Sequence, residues 1–325
     1  MSIILRATDD MIEMSNWIDV MVNPVNCKGV AGKGLALAFK EYCPAQYDEY
    51  RRLCLDGQLV MGKLHVFYND ADKTTIINVP TKNHWIDSSN LDDIELVTGR
   101  LAEYLKEHPF YSVALPMLGT GEGMLEHQKV LDIFYKHLDH LPNAIFVCMR
   151  VEKLPILPNY LVVAGSRQFT DYNKIEVGLI DAFCEFGVEY KSFAAFVGGG
   201  ARGVDTVASG AVQNEPYIEG QNIARHHGIK SIVMRADWDR WGKVAGFIRN
   251  KLLLEAGTHF VLYQGSISAG TKMMRGLIEN HNIRAHELMS DLLAQGFRQS
   301  EVEQMLPPTR RPKKLYVHDI STICE

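Results

Sequence analysis

No apolar run in the 325 residues approaches the roughly 20 that a membrane helix needs, and the first residues lack the basic, apolar and small-residue succession of a secretory signal. These absences make the cytoplasm the expected location and leave out a membrane partner. The six cysteines, Cys27, Cys43, Cys54, Cys148, Cys184 and Cys324, include no CxxC pair and no His/Cys spacing suited to a metal. They read as reduced intracellular thiols, and the sequence calls for neither a metal nor another cofactor. Positive charge is not in excess either: 34 Lys and Arg against 39 Asp and Glu give a net −5 and a pI near 6.2. Any contact with nucleic acid must therefore be local, although Arg310, Arg311, Lys313 and Lys314 form a small basic cluster near the C-terminus. No internal repeat joins the halves. The oligomeric state is not specified, and a homo-oligomer is compatible with the sequence.

A chain of this length, 46% hydrophobic and 22% charged, exceeds one ordinary domain and predicts two. In the first half the strand-like runs are "SIILRA", "IDVMVN", "KLHVFYN", "TTIINVP", "YSVALPM" and "AIFVCMR". Between them lie helix-like "GKGLALAFKEY", "AQYDEYRRLCL", "LDDIELVTGRLAEYLKEH" and "EHQKVLDIFYKHLDHL". This is an α/β pattern over residues 1–152, followed by a proline-bearing linker at 153–158. Over 159–283 the rhythm restarts as successive β-α units, which favour a doubly wound parallel sheet with ligands outside the carboxyl ends of its strands. Residues 284–325 read as a helical appendage and a basic tail.

Three stretches of the first half fall where strands end: "NPVNCKGVAGKG", "NVPTKNHW" and "LPMLGTGEGM". Gly29, Gly32 and Gly34, and again Gly119, Gly121 and Gly123, allow backbone N–H groups to approach a phosphate ahead of a helix N-terminus. Each loop taken singly also reads as a tight turn. Asn26 at a strand end offers its amide to a sugar hydroxyl, or forms an Asx turn. Lys82 serves as a phosphate partner, as an amine nucleophile, or as a solvated side chain. His84 and Trp85 stack on a ring or simply close the loop.

Together "NPVNCKGVAGKGLALAFKEYCP", "NVPTKNHW" and "LPMLGTGEGML" resemble the macrodomain of the DNA ADP-ribosyl glycohydrolase (DarG-type) antitoxin family, over roughly residues 1–150. The resemblance implies a three-layer α/β/α domain with a mixed sheet that binds ADP-ribose and removes it from an acceptor, in that family a DNA base. It also implies that Asn26 holds the distal ribose, Lys82 is catalytic and Asp10 contacts adenine. The ligand-binding set it implies further comprises Gly29, Gly32, Lys33, Gly34, Thr81, His84, Trp85, Leu118, Gly119, Thr120, Gly121, Glu122 and Gly123. Macrodomains that act on protein glutamate carry an aspartate where this chain has Gly123, which favours the DNA-acting branch. Two departures, Ile86 where an arginine is expected and His127 where an aromatic is expected, leave the acceptor open. So does the role of Lys82, as nucleophile at the anomeric carbon or as a cation stabilising the departing base.

In the second half, "VVAGSRQFTD", "VGGGARGVDTVA", "ADWDRWGKVAGFIRN" and "YQGSISAGTKMM" place glycine, arginine and threonine at strand ends, a pattern suited to phosphate. These motifs resemble the SLOG superfamily, especially its YspA-like branch, which implies a Rossmann-like domain binding a nucleotide-derived molecule. The pocket residues so implied are Gly165, Ser166, Arg167, Gly199, Gly200, Arg202, Asp205, Arg249, Asn250, Gly270 and Thr271. Three functions follow: a hydrolase releasing ADP-ribose from a nucleic-acid base, in reversal of a toxin's or defence system's modification; a non-catalytic sensor or sponge of ADP-ribose-type nucleotides; or a hydrolase of ADP-ribose 1''-phosphate or protein adducts.

Overall fold

The alternating apolar runs of the first half become strands, and the amphipathic runs between them become helices. A computed structural model describes residues 3–8, 10–108, 112–150, 158–210, 222–265, 268–306 and 308–321, and the chain divides into two compact units, Met1–Pro155 and Ile156–Glu325. Most of the expected linker, 153–157, lies outside the described residues.

The first unit runs β1 (Ile3–Ala7), β2 (Val20–Asn26), α1 (Gly34–Tyr42), α2 (Pro44–Leu55), β3 (His65–Asn69), β4 (Thr74–Lys82), α3 (Leu91–Glu107), β5 (Ser112–Pro116), α4 (His127–Leu138) and β6 (Ala144–Met149). Its six strands form a mixed sheet in the order β1-β6-β5-β2-β4-β3, parallel except for the β3–β4 pair. Alternation splits the core. Val22, Ile77, Val79, Val113, Leu115 and Val147 meet Ile94, Val97 and Leu101 of α3 and Val130 and Phe134 of α4. The intervening Met21, Ile76, Ala114 and Phe146 are equally buried toward the other face, which α1 and α2 cover. Two helix starts follow from local chemistry: Pro44 opens α2, and Asn90 caps α3 by accepting from the Asp93 N–H, with Asp92 and Asp93 complementing the helix dipole.

One polar row crosses the apolar sheet. Asn23 of β2 donates through Nδ2 to Asn78 Oδ1 of β4 (2.8 Å); Asn78 Nδ2 meets His65 Nδ1 of β3 (2.8 Å), and His65 Nε2 meets Glu49 Oε1 of α2 (3.3 Å). Burial holds the His65 ring below the usual histidine range.

The second unit runs β7 (Asn159–Gly165), α5 (Tyr172–Phe186), β8 (Phe193–Gly198), α6 (Val204–Ser209), α7 (Ile223–His226), β9 (Lys230–Val233), α8 (Trp238–Trp241), α9 (Ala245–Ala256), β10 (His259–Gln264), α10 (Ala269–Ala294), α11 (Gln299–Met305) and β11 (Lys314–Asp319). All its strands are parallel, in the order β11-β10-β7-β8-β9. The chain enters at the middle of the sheet, runs to one edge, and returns to fill the other. The switch of direction lies between β7 and β10.

The expected appendage and basic tail need correction. The helix near "GTKMMRGLIEN" continues to Ala294, and Lys314–Asp319 is an edge strand paired with β10. The basic residues before it are held by α10: Asn282 exchanges bonds with the backbone of Lys313 (2.7 and 3.0 Å), and His281 meets the Arg311 carbonyl (2.9 Å).

Candidate functional site

Asn26 ends β2 and is buried. Its Oδ1 accepts from the N–H groups of Lys28 (3.0 Å) and Val30 (3.4 Å), and its Nδ2 donates to the Val30 carbonyl (2.7 Å). The amide therefore folds the first glycine loop back on itself, as an Asx turn does. Beneath it, the Tyr50 hydroxyl donates to the Asn26 carbonyl (2.7 Å), and burial pushes that hydroxyl far above the ordinary tyrosine range, which keeps it a donor. Gly29 has φ +72°, and a Cβ there would come within 3.2 Å of Arg51 Cα. Lys33 precedes α1 as its N-cap, leaving the first N–H groups of α1 without a side-chain cap, and Gly32 and Gly34 face open space.

Lys82 ends β4, directly beside Asn26. The register of β2 on β4 passes from Val25–Pro80 to Asn26–Lys82, so Thr81 is the extra residue of a bulge. Thr81 is buried, with Oγ1 donating to the Val25 carbonyl (3.3 Å), and the Cys27 N–H is shared between the carbonyls of Lys82 and Asn83 (3.2 Å each). The half-buried Lys82 amine donates to two backbone carbonyls, Asp87 (2.9 Å) and Glu122 (3.1 Å). It thereby joins its own loop to the second glycine loop. The His84 N–H bonds Asp87 Oδ2 (3.1 Å), the His84 and Trp85 rings lie 5.5 Å apart, and Trp85 is exposed.

The second loop leaves β5 through buried Leu118. Thr120 turns back on the Met117 carbonyl, and the Leu125 N–H bonds the Gly119 carbonyl (3.0 Å). Gly119 has φ +71°. At Gly123 a Cβ would stand 2.4 Å from both the Gly119 carbonyl oxygen and Ser89 Oγ, so no side chain fits there without displacing backbone. The aspartate of the glutamate-directed pattern is thus sterically excluded. Gly121 and Glu122 face outward. The helix expected from Glu126 starts at His127 with Glu126 as its N-cap, after Met124, which takes a left-handed φ of +62°.

The structure thus brings Asn26, Lys82 and the second loop together. Asp10 stands beyond β1, exposed, with Oδ1 accepting from the Ile12 N–H (2.8 Å). Sequence reasoning missed Ser89, whose backbone N–H bonds the Gly123 carbonyl (3.2 Å) and whose side chain packs on Gly119 and Gly123. A serine in a polar loop carries no periodic signal.

In the second unit a cavity of about 420 Å³ opens at the carboxyl ends of β7, β8 and β10, the switch point of the sheet. Gly165, Ser166, Arg167, Asp205, Arg249, Asn250, Gly270 and Thr271 line it, as expected, together with Gln168, Ala201, Leu253, Ser268 and Met274. Gly199, Gly200 and Arg202 do not. The reason is structural: Asp205 Oδ2 accepts from Gly199 N–H (3.1 Å) and Ala201 N–H (3.4 Å), and Arg249 bonds the Gly199 carbonyl and Asn250 Oδ1. Gly199 is needed because a Cβ would meet the Arg249 guanidinium at 2.3 Å. Burial raises the Asp205 carboxyl above its ordinary range, against the opposing pull of Arg249 and the backbone donors. These two ionic groups brace the strand ends. Exposed Arg167 and buried Thr271 remain on the wall for a ligand.

Among the described residues no cluster of His, Cys, Asp and Glu is arranged to hold a metal, and no helix is long and apolar enough to cross a membrane.

Residues 22–134 match the family model described as Macro domain. The DNA ADP-ribosyl glycohydrolase of Mycobacterium tuberculosis is 38% identical over 128 residues, 38% of this chain and 36% of that protein. The DNA ADP-ribosyl glycohydrolase of Thermus aquaticus is 36% identical over 126 residues, 38% of this chain and 35% of that protein. The chain thus spans about a third of the length of these curated relatives. Of solved structures, the macrodomain of Mycobacterium tuberculosis DarG is 31% identical and covers 44% of this chain and 96% of its own, with a TM-score of 0.40.

Proposed function

We propose that the macro domain carried by residues 22–134 is a DarG-type ADP-ribosyl glycohydrolase that releases ADP-ribose from a nucleic-acid base, with Lys82 as its nucleophile. The observation that carries this reading is the seat of the Lys82 amine, which donates to the Asp87 and Glu122 carbonyls at the meeting point of the three strand-end loops. Those two carbonyls fix Nζ in place between the loops.

In this reaction Nζ attacks the anomeric carbon of the distal ribose, and a C–N bond forms as the bond from that carbon to the base breaks. The base leaves with the electron pair and takes the proton released from Nζ. Water then adds to the same carbon, the Nζ–carbon bond breaks, and ADP-ribose and the free amine are restored. Asn26 has a second Nδ2 hydrogen for a ribose hydroxyl, and the glycine loops expose backbone toward ribose and pyrophosphate. Lys33, Thr120, His84 and Trp85 complete the proposed ligand wall, and Asp10 takes the adenine.

The second unit is proposed as a SLOG domain of the YspA-like branch, binding a nucleotide-derived ligand at the switch-point cavity, with Arg167 and Thr271 supplying polar contacts. Calorimetry with adenine nucleotides, comparing the native chain with Arg167→Ala, tests it: loss of binding in the variant supports the cavity, and absence of binding in the native chain rejects it.

For the first site, release of ADP-ribose is measured from a single-stranded oligonucleotide modified on a base, from an ADP-ribosylated protein and from ADP-ribose 1''-phosphate. Release from the oligonucleotide is expected to fall at least about 100-fold in Lys82→Ala, as for loss of a covalent catalyst. Lys82→Arg, which retains charge, is expected to fall equally; recovery in that variant would favour a purely electrostatic role. ADP-ribose binding without release from any substrate would favour the sensor reading.

A further inference from the structure

Beside the Lys82 amine stand three large apolar side chains that the fold does not bury: Trp85, Ile86 and Met124, at 53%, 67% and 81% exposure. They come from two loops that are bonded to one another. Lys82 Nζ ties the Asp87 carbonyl to the Glu122 carbonyl, and the Ser89 N–H donates to the Gly123 carbonyl at 3.2 Å. Met124 is held outward by a left-handed backbone at φ +62°, a conformation that a methionine adopts only at a cost, and its N–H is fixed on the Gly121 carbonyl (3.0 Å). Exposed apolar side chains on two loops that the Lys82 amine joins, one of them presented through a strained residue, mark a contact surface.

Charge decides what that surface takes. Residues 82–89 and 119–124 carry three formal charges: Lys82, whose amine is engaged by the Asp87 and Glu122 carbonyls, and the exposed acidic Asp87 and Glu122, so the net charge of the two loops is negative. A phosphate track across these loops would meet repulsion where binding of a nucleic-acid backbone needs lysine or arginine. Unpaired bases offer apolar faces and stack on aromatic and apolar side chains without any backbone charge.

Resting on the glycohydrolase reading of this unit, we infer that Trp85, Ile86 and Met124 form the seat of the leaving group, and that this seat reads one unpaired base by apolar contact, with no phosphate track on either side. Ile86, in the position where an arginine was expected from the resemblance, is then a specificity-determining residue. It makes the acceptor a base irrespective of the length of polymer that carries it.

The test compares kcat/KM for release of ADP-ribose from a modified nucleoside, a five-mer and a twenty-mer, each from 50 to 300 mM salt. Free ADP-ribose binding is measured in parallel for the native chain, Ile86→Ser and Met124→Ser. The nucleoside and the twenty-mer are expected to agree within about threefold with no fall in salt. Each serine variant is expected to lose roughly tenfold in kcat/KM, the order of one stacking contact, while ADP-ribose affinity is unchanged. A twenty-mer preferred by tenfold or more with a steep salt dependence would overturn the inference, and so would serine variants of native kcat/KM. A dimer abolished by Met124→Ser would overturn it in favour of self-association. Release from no substrate, with ADP-ribose still bound, removes the glycohydrolase reading and this inference with it, an outcome distinct from the others.

Discussion

At the scale of single residues, two glycines of one loop make opposite predictions. Gly123→Ala puts a methyl 2.4 Å from the Gly119 carbonyl and Ser89 Oγ, whereas a Cβ at Gly121 meets nothing within 4 Å. The first substitution is expected to cost about 1–3 kcal/mol of stability and the second less than about 0.5 kcal/mol, read from urea unfolding of the two variants. Asp205→Ala strips the acceptor from the Gly199 and Ala201 N–H groups and leaves Arg249 buried beside the gap. A loss of about 3 kcal/mol is expected for the second unit, visible as a lowered midpoint in the same measurement. The position of Lys82 and of the two glycine loops at strand ends was legible in the sequence because each follows an apolar run that lysine or glycine breaks. What was not legible is who faces whom. Gly199 sat in a phosphate-like motif, yet it serves the Arg249 guanidinium, and Ser89 had no motif at all.

Elements were legible to the extent that their pattern was periodic. Every strand expected in the first half is present, since each combined an apolar run with a polar or glycine stop. Strand β11 was missed because "KLYVHD" is half-buried at a sheet edge and follows proline and basic residues, which read as a tail. Its pairing has an electrostatic effect on β10. His259, buried against Phe186 and Phe193 and close to Lys313 and Lys314, is held down to about 4, by burial first and the lysines second. The unfolded imidazole takes its proton near 6.5, so between these values the unfolded chain binds more protons than the folded one. Stability of the second unit is therefore present above pH about 6.5 and falls as the pH drops toward 4. Between pH 7 and pH 5 the expected loss from His259 is about 2 kcal/mol from urea midpoints, and His259→Phe is expected to remove that share and leave the part due to His281, which burial also holds below its ordinary range.

At the scale of the whole molecule, each unit has its own sheet and its own core, so thermal unfolding is expected in two transitions. ADP-ribose at about 100 times its Kd is expected to stabilise one of them by about 2.7 kcal/mol and leave the other in place, as calorimetry would read. A single transition that moves as one would contradict this. The division into two was legible from length and from the restart of the β-α rhythm; the course of the chain after residue 283 was not, because the sequence does not mark which strand completes an edge. The polar row from Asn23 through Asn78 and His65 to Glu49 has a consequence for how the first sheet assembles. A slip of β4 by two residues would preserve its alternation of faces. It would also strand two amides in the interior, each costing on the order of 1–3 kcal/mol. The row thus selects one register for the strand that carries Lys82, because a shifted pairing leaves its amides without their partners.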